Sequence, residues 1–325
     1  MRRAALYILM VLLPTCAVLV LAEASLRYYR DPPMRADPQV DGSVRLHKKS
    51  HDPTLIYELV PGAKTVREGV EIAINSAGFR DDEFPEPLPE ESFRIVLLGD
   101  SVAWGFGVPM ASAFPQMLER LLHEQRLTPH ASPMVYVYNL AVDGYSTEQE
   151  IRLLETRGLA LRPNLIIVSY VLNDPDTADG GLARYYTSRI ALIDLVRDAL
   201  TPYLDRLHGY PHEYHHRIHA KFQDQTITQF RQLGQFSRDR QVPILLVLSP
   251  VFQFKQDIPY PWQDLHDFIR GLCEKNDIAF LDLYASFRGR DAAGYAHDVW
   301  HPTIEGHALI AQAIVDYLAG FLLEK

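Results

Sequence analysis

The stretch Arg94-Ile95-Val96-Leu97-Leu98-Gly99-Asp100-Ser101 decides the fold. A short apolar run predicts a strand buried on both faces, as in a parallel sheet. It breaks at Gly99-Asp100, and a hydroxyl follows where the next helix should start. Open α/β sheets place their ligands at the carboxyl ends of strands, so Ser101 stands where chemistry is done. Far downstream, Asp298-Val299-Trp300-His301 offers a carboxylate and an imidazole three residues apart. A serine, a base and an orienting acid are the parts of covalent acyl chemistry.

Outward from this stretch, strands alternate with helices. Strands are predicted at Arg94–Leu98, Val135–Leu140, Leu165–Leu172, Ile244–Leu248 and Ile278–Leu283. Helices are predicted around Ala113–Gln125, Thr147–Gly158, Arg217–Arg238, Trp262–Glu274 and Ile304–Leu323. The alternation implies a parallel sheet covered by helices on both faces. Residues 52–90 read instead as a small β-rich module and connector: Val66 to Ile74 is rich in β-branched residues, and Asp82 to Pro89 is acidic and proline-punctuated. Residues 91–325 form the main unit. It carries an insertion at about 175–220 with an apolar helical pattern (Ile190, Leu192, Ile193, Leu195, Val196, Leu200) and then a histidine-rich stretch. The insertion reads as a lid, an acyl-pocket wall or a membrane-touching face, or else as simple packing.

The N-terminus reads as a targeting element, residues 1–26. Arg2 and Arg3 precede an uncharged run from Ala4 to Ala22. As a helix this run is about 28 Å long, close to a bilayer core. Basic residues before it keep the N-terminus cytoplasmic and send the remainder across. A single-pass signal anchor in the inner membrane, with an extracytoplasmic main domain, is the expectation. A signal peptide cleaved near Ala22-Glu23-Ala24 is the competing one. Residues 27–51 are charged and proline-bearing, as suits a linker.

The net charge of -9 and the absence of a basic stripe argue against a nucleic-acid partner. The two cysteines imply no disulfide framework.

Taken singly, each site residue has a plain reading. Ser101 could be a helix N-cap, Gly144 a turn residue, Asn173 a turn after a strand, and Asp298–His301 a polar turn before the last helix. Pro302, just after His301, suits an early helical position. Yet Ser101, Gly144 and Asn173 all fall at carboxyl ends of successive predicted strands. Gly144 can expose its N–H there, and the Asn173 amide can donate to a developing oxyanion. His297 and His307 read as structural.

The ordered blocks Gly99-Asp100-Ser101, Gly144, Asn173-Asp174 and Asp298–His301 resemble those of the SGNH hydrolases, the GDSL esterase/lipase superfamily. The third block departs from the usual Gly-x-Asn-Asp by carrying Val171 in place of glycine. The resemblance implies a flavodoxin-like three-layer α/β/α fold with a five-stranded parallel sheet. It implies Ser101 as nucleophile, His301 as base and Asp298 as its orienting acid. The oxyanion hole would be the Ser101 and Gly144 N–H groups with the Asn173 side chain. No metal or organic cofactor is implied. The anchored N-terminus resembles that of membrane-tethered bacterial members. The expected activity is hydrolysis of a small acyl ester or an acylated glycan. Alternatives are an O-acyltransferase using the same triad and a non-catalytic envelope interaction protein. A further alternative is a zinc protease, because His212-Glu213-Tyr214-His215-His216 spells H-E-x-x-H.

Overall fold

The computed structural model describes residues 2–30, 46–67, 69–127, 134–175, 192–193, 195–196, 199–200, 203, 212–255 and 258–323. Its centre is a five-stranded sheet in the order β6-β5-β7-β8-β9. The strands are β5 (Ser92–Gly99), β6 (Met134–Asn139), β7 (Leu165–Tyr170), β8 (Ile244–Leu248) and β9 (Ala279–Asp282). Every neighbouring pair is parallel. Ile95, Val96, Leu97 and Leu98 are fully buried on both faces of β5. Each such side chain contributes roughly 1.5–3 kcal/mol to the fold.

The chain leaves β5 through α2 (Ser101–Trp104) and α3 (Phe114–Glu124) to reach β6 on one side. It returns through α4 (Thr147–Thr156) to β7 on the other. Right-handed crossovers running in opposite directions put α3 and α4 on opposite faces of the sheet. The remaining helices are α5 (His212–Lys221), α6 (Gln223–Arg240), α7 (Gln263–Lys275), α8 (Tyr284–Phe287) and α9 (Ile304–Leu323). Helix α9 packs on α3, and α4, α6 and α7 pack in series. The expected α/β layering is therefore present. The strand order reverses beside β5, which opens a crevice at its carboxyl end.

Two local expectations are corrected. The single helix expected over 217–238 is two, α5 and α6. Phe222 leaves helical geometry between them (φ −108°, ψ 18°), and each helix buries its own apolar side chains, Ile218 in α5 and Phe230 in α6. The β-branched run at 66–74, in the module read as β-rich, folds as a hairpin. Strand β3 (Lys64–Arg67) pairs antiparallel with β4 (Val70–Ala73). Pro302 is not in an early helical position: the His297 N–H donates to His301 O at 2.8 Å, Ala296 bridges Pro302, and α9 starts at Ile304, as expected.

Strands β1 (His47–Lys49) and β2 (Tyr57–Leu59) form a second antiparallel pair. β1 lies within the stretch read as linker. Leu46, Leu55, Tyr57, Leu59, Ile72 and Phe79 join the same apolar core as the central sheet. Most of the insertion, residues 176–191 and 204–211 included, lies outside the described residues, as do residues 31–45 of the linker.

The N-terminal segment is helical at the backbone, α1 (Arg2–Arg30), with Pro14 inside it. Among the described residues no helix is long and apolar enough to cross a membrane. The side chains of residues 1–9 and 11, in the first half of the expected span, are outside those described. Leu12, Leu13, Val18, Leu19, Val20 and Leu21 are exposed.

Candidate active site

β5 delivers Ser101 through a tight elbow. Asp100 caps α2, its Oδ1 accepting the Val102 N–H at 3.0 Å. The helix then folds straight back over the strand. A Cβ on Gly99 would meet Ala103 Cβ at 2.7 Å and Ser169 Cβ at 3.0 Å, so only glycine fits there. α2 is a single turn. Its dipole is correspondingly small, so individual N–H groups matter more than a helix field.

Ser101 Oγ lies 3.0 Å from His301 Nε2. On the other side of the ring, His301 Nδ1 lies 2.8 Å from Asp298 Oδ2. Asp298 Oδ1 also accepts the backbone N–H groups of Trp300 and His301, each at 2.8 Å. Burial alone would raise the Asp298 carboxyl. The hydrogen bonds from His301 and from these N–H groups outweigh it and hold the pKa at about 2. An ionised carboxylate accepts and never donates, so Nδ1 carries the ring proton. Nε2 is left as an acceptor facing the serine hydroxyl. The Phe106 ring covers the imidazole, with ring centres 4.4 Å apart. Arg67, from the β3–β4 hairpin, lies 5.0 Å above Phe106.

Gly144 has φ 77°, the left-handed region that its turn after β6 requires. The preceding residue is fixed from the N-terminal module. His47 Nε2 lies 2.6 Å from Asp143 Oδ1, and the Tyr57 hydroxyl donates to Asp143 O at 2.9 Å. α4 follows, started by a capping box between Ser146 and Gln149. Asn173 sits in the turn after β7. Its Oδ1 is buried without a hydrogen-bond partner among the described residues. The turn is closed by the Asp174 carboxylate, which accepts the Val171 N–H at 3.1 Å.

Behind the serine, Asp100, Glu150 and Asp174 are buried carboxyl groups. Burial, partly offset by the Val102 N–H and by His301, brings Asp100 to about 6. Burial first, and then the nearby carboxylates, push Glu150 and Asp174 well above the usual range. This proton-holding layer was not read from the sequence, because Glu150 lies in a polar helix start that looks solvated. Also unread was Arg80. It is buried, donates to Trp104 O (2.9 Å), Gly105 O (2.5 Å) and Val108 O (2.8 Å), and so fixes the loop after α2.

The H-E-x-x-H segment does not gather a metal set. Among the described residues no group of three histidine, cysteine or acidic side chains is placed to hold a metal. His216 turns to Asp264 at 3.0 Å; the His212 side chain is outside the described residues. A polar, histidine-rich stretch of this kind reads from sequence as exposed surface, but His215 and His219 are buried. His307 is structural, its Nδ1 accepting the Phe114 N–H at 3.2 Å, and burial brings it down to about 3. His297 packs against Gly107.

A family model described as GDSL-like Lipase/Acylhydrolase family matches residues 97–309. No curated protein matches the chain. Solved structures similar to it include an acetylxylan esterase from Geobacillus stearothermophilus, at 16% identity and TM-score 0.47, covering 70% of this chain and 94% of that one. Another is an alpha/beta hydrolase enzyme from the metagenome of Lake Arreo, Spain, at 18% identity and TM-score 0.47, covering 71% and 96%. A third is a putative lipolytic protein of G-D-S-L family from Desulfitobacterium hafniense, at 13% identity and TM-score 0.43, covering 69% and 98%.

Proposed function

Because this chain belongs to the GDSL-like lipase/acylhydrolase family and is an ester hydrolase of that type, we propose that it works through Ser101, His301 and Asp298. The observation that carries the reading is the continuous contact from Ser101 Oγ through the His301 ring to Asp298, at 3.0 Å and 2.8 Å. Ser101 Oγ attacks the ester carbonyl carbon while His301 Nε2 takes its proton. The carbonyl π electrons move onto oxygen. The Ser101 and Gly144 N–H groups and the Asn173 amide stabilise that oxyanion; one such donor is worth about 10²–10³ in rate. Collapse breaks the bond to the alcohol, which leaves with the proton from His301. Water then attacks the acyl-serine, giving a proton to the same nitrogen; collapse breaks the bond to Ser101 Oγ, which takes that proton back from His301, and the free acid departs. Asp298 stays ionised and holds the ring tautomer throughout.

The substrate is read as a small acyl ester, such as an O-acetyl group on an envelope glycan. The location is read as the extracytoplasmic side of the inner membrane. Arg2 and Arg3 ahead of the uncharged Ala4–Ala22 run speak for an anchor of this orientation. The exposed apolar side chains of α1 speak for a non-aqueous partner. Removing residues 1–26 should release the protein from the membrane fraction.

The deciding experiment is p-nitrophenyl acetate turnover by the wild type and by Ser101→Ala. Turnover at background in the variant is expected, and equal rates sink the serine mechanism. Adding a glycan acceptor to the same assay separates hydrolysis from acyl transfer by product: free acid or acylated glycan.

A further inference from the structure

Helix α5 lies against both halves of the site. Along its buried face, His215, Ile218 and His219 follow one another at i, i+3 and i+4. The His215 ring packs edge-on against Trp300 at 4.6 Å and against Trp262 at 5.8 Å. Trp300 stands between Asp298 and His301 in the turn that holds the imidazole. One helical turn on, His219 Nε2 lies 3.0 Å from Leu172 O, the carbonyl of the peptide unit that leads into Asn173. A carbonyl only accepts, so His219 donates from Nε2. Burial pulls this imidazole down to about 4, which keeps it neutral near pH 7.

From this geometry we infer that His219 is a positioning residue for the oxyanion site: it orients the Leu172–Asn173 peptide so that the Asn173 amide faces the developing charge. His215, on the same rigid helix, ties that orientation to the turn carrying His301. The distance between the oxyanion donor and the general base is thus set by one element of the insertion. Oxyanion donors act through their placement at the transition state, so a tilted Asn173 costs kcat and leaves substrate binding alone. The inference rests on the oxyanion role proposed above for Asn173.

The test is a cycle on the full chain in detergent with p-nitrophenyl acetate: wild type, His219→Leu, His219→Gln, Asn173→Ala and the double variant His219→Leu/Asn173→Ala. His219→Leu is expected to lower kcat by about 10–100-fold, the scale of a 1 Å misplacement, with KM nearly unchanged. His219→Gln still presents an N–H donor to Leu172 O and should restore most of the loss. In the Asn173→Ala background, His219→Leu should cost almost nothing more. If the leucine variant does not fold, His219→Asn, whose amide is too short to reach the carbonyl, takes its place. Wild-type kcat in the folded variant overturns the inference, as does a loss that simply adds to that of Asn173→Ala. Ser101→Ala separates the two readings: turnover lost there but kept in the His219 variants sinks only the positioning role.

Discussion

His47 Nε2 and Asp143 Oδ1 meet at 2.6 Å across 96 positions of sequence, buried beside the turn that carries Gly144. The N-terminal strands are thereby part of the catalytic half of the molecule. The contact is a hydrogen bond to an acid side chain in a low-dielectric site. His47→Ala should therefore destabilise the fold by about 2–3 kcal/mol. Urea denaturation reads this directly, and a loss below experimental error would contradict it. Turnover should fall as well, because the Gly144 N–H loses its support.

Gly99 is the second point of leverage. Gly99→Ala puts a methyl within 2.7 Å of Ala103 Cβ and 3.0 Å of Ser169 Cβ. Overpacking of this kind costs about 1–3 kcal/mol, and here the strain falls on the elbow that aims Ser101. Both a lower Tm and a lower kcat are expected, where a surface Gly→Ala change would move neither.

Asp298 gives a pH dependence of known sign. Its folded pKa of about 2 lies below the ordinary 3.8. The carboxylate therefore stabilises the fold above about pH 4, and that stabilisation is lost as pH falls towards 2. In Asp298→Asn, the stability deficit against wild type should shrink over that window. A deficit that stays constant would show that the charge contributes nothing. Turnover by the same variant should drop by between about tenfold and 10⁴-fold, because an amide permits the wrong imidazole tautomer.

The buried carboxyl layer has the opposite sign. Asp100, raised to about 6, and Glu150 and Asp174, raised well above the usual carboxyl range, favour folding while protonated. That stabilisation is complete below the ordinary carboxyl range and is lost as pH rises through the folded values. Glu150→Gln cannot ionise. It should raise Tm at alkaline pH and change it little near pH 5, with each kcal/mol worth about 2–4 °C. A uniform shift at all pH values would exclude ionisation of Glu150 as the cause.

How far the sequence could be read follows from where each signal lies. β5 is legible because burial on both faces leaves an unbroken apolar run, and Ile244–Leu248 is legible for the same reason. Asp298 and His301 are legible because their contact is local, three positions apart. His219 is not. A histidine in a polar stretch looks solvated, and its burial depends on a carbonyl 47 positions away. His47 hides likewise behind a separation of 96. The break at Phe222 has no proline or glycine to mark it.

Ser101 and His301, the base proposed for it, stand 200 positions apart in the chain. At a synthesis rate of about 5–20 residues per second, the segment carrying His301 follows the serine by roughly 10–40 s. During that interval the hydroxyl is an ordinary alcohol with no imidazole to take its proton. On the proposed mechanism the nucleophile is thus made early and armed last.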